Sequence, residues 1–215
     1  MELKNKIDEI WYACYGSNIR EERFMCYING GTPPGALKNF TGCSDKSKPK
    51  KSRTIKIDHE MYFAKESPTW NGGGICFLNP EKDPSAETLG RTYLINKGQF
   101  KDLVRQELKF EGEIIIDFEE LIEKGSYNCM TDGRYGLLLY LGEIENKPVV
   151  TFTSEILLNN EINAPDEAYL TTILKGLCEI YSLDKPQMIE YFRDKKGIKN
   201  SKIEDRLQQI INSIS

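Results

Sequence analysis

One histidine, His59, stands in 215 residues, and none of the six cysteines (Cys14, Cys26, Cys43, Cys76, Cys129 and Cys178) is spaced as a C-x-x-C pair. A Cys/His zinc site therefore has no signature here, and no metal or cofactor is expected. The thiols read as reduced, as in a cytoplasmic protein. No apolar run approaches the ~20 residues of a membrane span. Residues 1–9 alternate charge and lack the apolar stretch of a secretory leader, so no signal peptide is expected. An excess of basic charge is also missing: Lys and Arg number 29 against 33 Asp and Glu, for a net charge of −4. Nucleic-acid binders usually carry a basic excess, so neither nucleic acid nor membrane is expected as a partner. A serine nucleophile would need a base, and the one histidine falls in a predicted strand. The flanks of Ser17 do not form a Gly-x-Ser-x-Gly elbow either.

What is present reads as a globular α+β chain. Hydrophobic residues make up 39% and charged residues 29%, ordinary values for a soluble domain. The length suits one domain, or one with an appendage, and can bury a core without staples. Ile10–Tyr15 is a short aromatic strand running into Gly16-Ser17-Asn18. Arg20–Asn29 is predicted helical and stopped by Gly30-Gly31. Thr32–Gly35 holds Pro33 and Pro34 and must be loop. Ile55–Ala64, Gly74–Leu78 and Gly90–Ile95 read as strands, Gln99–Lys109 as a helix, Glu113–Ile116 as a β-branched run, and Phe118–Lys124 as a short helix. Tyr135–Ile144 and Val149–Phe152 are strands joined near Asn146. From Pro165 onward the pattern is helical, over 166–181, 185–194 and 201–214. Strands mostly first and helices last point to α+β rather than a doubly wound sheet. A basic run, Lys46, Lys48, Lys50, Lys51, Arg53 and Lys56, is either a solvated mobile loop or an arm for phosphate.

Three features could carry chemistry. Tyr15-Gly16-Ser17-Asn18, at a strand-to-helix turn, would leave backbone N–H groups able to hold an anion, though an ordinary capped turn has the same look. On the helix from Gln99, Phe100, Leu103 and Val104 form one stripe that Glu107 continues. A carboxylate there is partly desolvated, which favours its neutral form and suits it to proton transfer. The alternative is a glutamate at a frayed last turn reaching for solvent. Trp70-Asn71-Gly72-Gly73-Gly74 before a strand allows a bulge or a close backbone approach, or a plain loop.

In this order the segments resemble the gamma-glutamylcyclotransferase family. Tyr15-Gly16-Ser17-Asn18 after Ile10-Trp11-Tyr12-Ala13-Cys14 is similar to the family's hallmark turn. Trp70-Asn71-Gly72-Gly73, Gly90–Ile95, the helix with Leu103 and Glu107, and Pro165–Leu170 with Ile173, Gly176 and Leu177 follow in the family's sequence. The likeness covers roughly residues 9–185, and the domain is expected to span 1–185 with a helical extension, 186–215, packed on it. The resemblance implies a mixed β-barrel flanked by helices, with a pocket at its mouth. It implies a cofactor-free reaction releasing 5-oxoproline from a gamma-glutamyl amine or peptide. Glu107 would be the acid/base, and Tyr15, Gly16, Ser17 and Asn18 would bind substrate. A substrate-facing tyrosine is expected soon after the glutamate; Tyr135 takes that place, with Tyr127 as competitor. A second tyrosine expected shortly before the closing helix has no counterpart, since Asn159-Asn160 stands there. Segment 108–134 and the basic loop are longer than the family pattern. A binding or regulatory module that keeps this fold without turnover is the alternative. The oligomeric state stays open, a homodimer being one option.

Overall fold

The computed structural model describes residues 7–33, 39–131 and 133–214; Pro34 and Gly35 of the expected loop, and residues 1–6 of the expected leaderless start, lie outside them. Strand β1 (Glu9–Cys14) is buried along nearly its whole length and runs through the centre of the molecule. It pairs antiparallel with β5 (Thr88–Asn96) and parallel with β8 (Lys147–Thr153). With β2 (Ser52–Ile57), β7 (Leu137–Ile144) and β6 (Ser126–Asn128) they make a six-stranded sheet in the order β2-β5-β1-β8-β7-β6. A near-continuous apolar strand is what a strand covered on both faces requires, and β1 supplies it with Ile10, Trp11, Tyr12 and Ala13. The edge strand β2 presents Arg53 and Lys56 to solvent, side chains that discourage further strand pairing.

A second sheet is the hairpin of β3 (Met61–Ala64) and β4 (Ile75–Leu78), all eight residues buried. The expected barrel is therefore not closed. Where a ladder between β4 and β8 would complete the wall, the Thr153 hydroxyl accepts from Leu78 N at 3.0 Å and donates to Leu78 O at 2.7 Å. One side chain takes both backbone bonds, so the two sheets meet without a shared ladder.

The expected single strand 55–64 is two. Between β2 and β3 the polar Asp58-His59-Glu60 turns the chain. Asp58 O accepts from Asp83 N, Glu60 O from Asn79 N, His59 O from Thr88 Oγ1, and His59 Nδ1 meets Asn79 O at 2.8 Å. The basic run is likewise divided: 46–51 is irregular, whereas Arg53 and Lys56 lie on β2. Four of its six cations are ion-paired, Lys50 with Glu9, Lys51 and Arg53 with Glu145, and Lys56 with Glu87. That pairing uses up charge a phosphate arm would need.

Helix α2 (Lys97–Leu108) packs on β1 and β5, and helix α1 (Glu21–Asn29) packs beside it, with Phe24 stacked on Tyr93 of β5. A capping box starts α2 two residues before the sequence placed it: Gln99 N donates to Asn96 Oδ1 and Asn96 N to Gln99 Oε1. Phe100, Leu103 and Val104 are fully buried on its inner face. Helix α3 (Phe118–Lys124) has the bounds read from the sequence, but 113–116 forms no strand. Helix α4 (Glu167–Ile180) closes the domain. Its Gly176 lies where a Cβ would come within 2.4 Å of Arg20 N, so the helix sits directly on the turn after β1. Helices α5 (Lys185–Arg193) and α6 (Lys202–Asn212) follow, α6 burying Ile203, Leu207, Ile210 and Ile211 on one face. No helix among the described residues is long and apolar enough to cross a membrane.

Candidate active site

The turn after β1 brings chain and ligand space together. Ser17–Ile19 form one turn of 3₁₀-helix, whose leading N–H groups have no acceptor within so short a helix. Space just before it is tight. A Cβ on Gly16 would lie 3.1 Å from Tyr169 Oη and 3.4 Å from Cys76 Cβ. A second close approach fixes the far wall. Cβ atoms on Gly73 and Gly74 would come within 2.3 Å of Asp166 N and 2.1 Å of Asn163 O, so the glycine run seats β4 against the chain entering α4.

Five elements line the resulting pocket: the end of β1 with its turn (Tyr12, Cys14, Tyr15, Gly16, Ser17, Asn18), β4 (Cys76), α2 (Glu107), β8 (Phe152) and α4 (Tyr169), with Tyr135 from the loop before β7. All six residues singled out from the sequence (Tyr15, Gly16, Ser17, Asn18, Glu107 and Tyr135) face this one space. Glu107 is half-buried, in the last turn of α2. Its charge is near enough to contribute to raising the phenols of Tyr12, Tyr15, Tyr27 and Tyr135. Tyr127 stands on β6 opposite Leu138 and does not line the pocket.

Tyr12 and Tyr169 also line the pocket, although the sequence reading gave them no role. Tyr169 is the more instructive. No tyrosine was expected in the segment before the closing helix, yet the first turn of that helix delivers one. A signal was available: Tyr169 follows the Asp166 cap by three residues, on the same face as Leu170 and Ile173.

The polar atoms divide into acceptors and donors. Tyr15 Oη donates to Phe152 O at 2.7 Å, and Tyr135 Oη donates to Cys76 O at 2.9 Å, so each phenol keeps only acceptor capacity. Tyr169 Oη accepts from Cys76 N at 3.1 Å and retains its proton for donation. Ser17 Oγ accepts from Arg23 Nε at 2.8 Å, which leaves its own hydrogen to donate. Arg23 is held in turn by the rings of Trp70, at 4.9 Å, and Phe40, at 5.8 Å. Asn18 is 6% exposed. Its Nδ2 meets Tyr12 Oη at 3.3 Å, and its buried Oδ1 has no partner among the described residues. A buried polar atom without a partner costs about 1–3 kcal/mol, which a ligand donor would recover.

Burial pushes the phenols of Tyr12, Tyr15, Tyr135 and Tyr169 well above the ordinary 10.0. It also raises the Cys14 thiol, and pushes that of Cys76 up to about 12. Near neutrality these groups are protonated, so neither lining cysteine is a thiolate nucleophile. His59 is away from the pocket, and no three His, Cys, Asp or Glu side chains among the described residues are grouped as metal ligands.

Fold and pocket together define the class: the chain has the gamma-glutamyl cyclotransferase fold. A solved gamma-glutamyl cyclotransferase superposes with a TM-score of 0.51 over 95% of this chain and 99% of its own, at 18% sequence identity. An uncharacterised protein from Homo sapiens covers 96% of this chain and 99% of its own, with a TM-score of 0.48 and 18% identity. Among curated proteins, a histone deacetylase 5 from Arabidopsis thaliana is 32% identical over 201 residues. That stretch is 86% of this chain and 30% of the relative, so the chain spans under a third of the deacetylase's length. No family model matches the chain.

Proposed function

We propose that this protein is a cofactor-free cyclotransferase releasing 5-oxoproline from a gamma-glutamyl amine or peptide, with Glu107 as general acid/base. The observation that carries the reading is the placement of Glu107 in one pocket with the Tyr15–Asn18 turn, where the lining cysteines are held protonated. The reaction needs no enzyme nucleophile. The substrate's α-amine attacks its own γ-carbonyl carbon, forming the ring C–N bond. Glu107 accepts the proton that the amine loses. The tetrahedral intermediate then collapses: the exocyclic C–N bond breaks, and Glu107 returns the proton to the leaving nitrogen. Atoms balance without water, as in a lyase-type elimination of an amine.

Because attack occurs within one molecule, holding the bent conformer supplies much of the acceleration. The acceptors Tyr15 Oη, Tyr135 Oη and Asn18 Oδ1 suit the N–H groups of the α-amine. The donors Tyr169 Oη, Ser17 Oγ and the turn amides suit an anion, either the tetrahedral oxyanion or the α-carboxylate. All six cysteines are free thiols, which fits a reducing, cytoplasmic setting.

The test is 5-oxoproline release from a panel of gamma-glutamyl compounds by wild type and Glu107→Gln. The expected loss is about 10²–10⁴-fold, the span of general acid–base catalysis. Equal rates from the two proteins reject the role of Glu107. A second reading is a binding or regulatory module of the same fold. It is favoured by the 32% identity to a segment of a longer protein named for a different activity. Wild type that binds gamma-glutamyl compounds without turning any over would establish it.

A further inference from the structure

Ser17, at the turn after β1, and Glu107, in the last turn of α2, are linked by two side chains of α1 that take no part in the proton transfer itself. Arg23 and Tyr27 stand four residues apart on α1, so they are neighbours on one face of the helix. Both are buried, and with Ser17 and Glu107 they line one space beside the pocket. Arg23 Nε donates to Ser17 Oγ at 2.8 Å. The Tyr27 phenol is hydrogen-bonded to Glu107 on one side and to Arg23 on the other. An ionised carboxylate has no hydrogen to give, and a guanidinium has no acceptor. The directions are therefore fixed: Arg23 donates to Tyr27 Oη, and Tyr27 Oη donates to the Glu107 carboxylate.

Tyr27 is itself held in place. Its ring packs on Phe40 with centroids 4.0 Å apart, and its carbonyl accepts from Gln106 Nε2 at 3.1 Å. Burial first, and then the charge of Glu107, raise its phenol well above the ordinary 10.0. Near neutrality it is a donor and not a base. The other titratable groups around Glu107 are the phenols of Tyr12, Tyr15, Tyr135 and Tyr169 and the thiols of Cys14 and Cys76, all protonated near neutrality. Lys109 and Arg134 add two cations on the outer side. Tyr15 and Tyr135 give their hydrogens to carbonyls, whereas Tyr27 gives its hydrogen to the carboxylate.

We propose that Tyr27 is a positioning residue for Glu107: its hydroxyl fixes the orientation of the carboxylate and holds it in the ionised form that accepts the proton of the α-amine. Through Arg23 the same hydrogen-bonded chain ties the acid/base to Ser17, so the two sides of the pocket keep one spacing. The inference rests on the cyclotransferase reading, which gives Glu107 its task.

Tyr27→Phe deletes the hydroxyl and keeps the ring against Phe40. A donor to a carboxylate favours the charged form, so its loss moves the acid limb of the kcat/KM profile to higher pH. With gamma-glutamyl-alanine as substrate, the expected shift is about one pH unit, with kcat lowered about 10-fold and KM little changed. Incorporation of 3-fluorotyrosine at position 27, a stronger acid of nearly the same shape, should move the limb to lower pH. Opposite shifts from the two replacements would not arise from a merely structural role. The carboxyl carbon resonance of Glu107, identified by its loss in Glu107→Gln, should titrate with the same two shifts and requires no turnover. Turnover with the same limb and titration in all three proteins keeps the chemistry and overturns the role of Tyr27. Shifted titrations in a protein whose wild type turns over no gamma-glutamyl compound keep the pairing and reject the chemistry. Neither turnover nor shift overturns both.

Discussion

At the scale of single residues, the pocket is made of groups whose hydrogens are already assigned. Tyr15 and Tyr135 give theirs to carbonyls, and Ser17 and Tyr169 keep theirs because a nitrogen donates to each oxygen. Buried acids of this kind tie stability to alkaline pH. The thiols of Cys43 and Cys76 have an ordinary value of 9.0, and burial pushes each to about 12. Below 9 both folded and unfolded chains hold these protons. Between 9 and about 12 the unfolded chain loses them first, so stability is lost as pH rises. Thermal unfolding followed from neutral pH upward should show a flat Tm to about 9 and then a steady fall. A Tm that holds constant to about 12 would contradict the burial described for these thiols. The residues of the turn were legible because four contiguous positions carry the signal, and Glu107 because helical spacing puts it on the stripe of Phe100, Leu103 and Val104. Tyr12 and Tyr169 were not, since their roles depend on where β1 and α4 pass each other.

At the scale of elements, α2 has the task of holding Glu107 at its far end. The Asn96–Gln99 box satisfies amides at its start. Gln106, beside Glu107, donates to Tyr27 O at 3.1 Å and accepts from Gly42 N at 3.1 Å, tying the last turn to α1 and the following loop. Asn96→Ala removes half of the box and should cost about 1 kcal/mol, seen as a Tm lowered by roughly 2–4 °C for a chain of this size. An unchanged Tm would mean that α2 is held by its packed face alone. Elements with a strong period or clear stops, such as β1, α3 and α4, were readable locally. The division of 55–64 was not: its polar Asp58-His59-Glu60 is satisfied by Asn79, Asp83 and Thr88, partners distant in sequence. The three-residue β6 was missed for a related reason, as so short a strand exists only through its pairing with β7.

At the scale of the whole molecule, the C-terminal helices behave as part of the core. Met188, Phe192, Ile198, Ile203, Leu207, Ile210 and Ile211 are buried, and Lys196 O accepts from Phe63 N of β3 at 2.9 Å. At roughly 1.5–3 kcal/mol per buried side chain, their sum is on the scale of the ~5–15 kcal/mol net stability of a domain. A chain ending at residue 185 should therefore lose its cooperative unfolding transition by calorimetry. A truncated chain with a sharp transition would mark 186–215 as a separable appendage. The open wall of the sheet matters to the pocket in another way. The Thr153 hydroxyl is the joint by which the hairpin is pinned to β8, and Cys76 of that hairpin anchors Tyr135 through its carbonyl and Tyr169 through its amide. A rigid barrel would freeze that spacing. Here side-chain and loop contacts set it instead: the Thr153 hydroxyl on one side of the hairpin, and on the other the backbone bonds from Phe63, Lys65 and Gly74 to Lys196, Glu161 and Ala164.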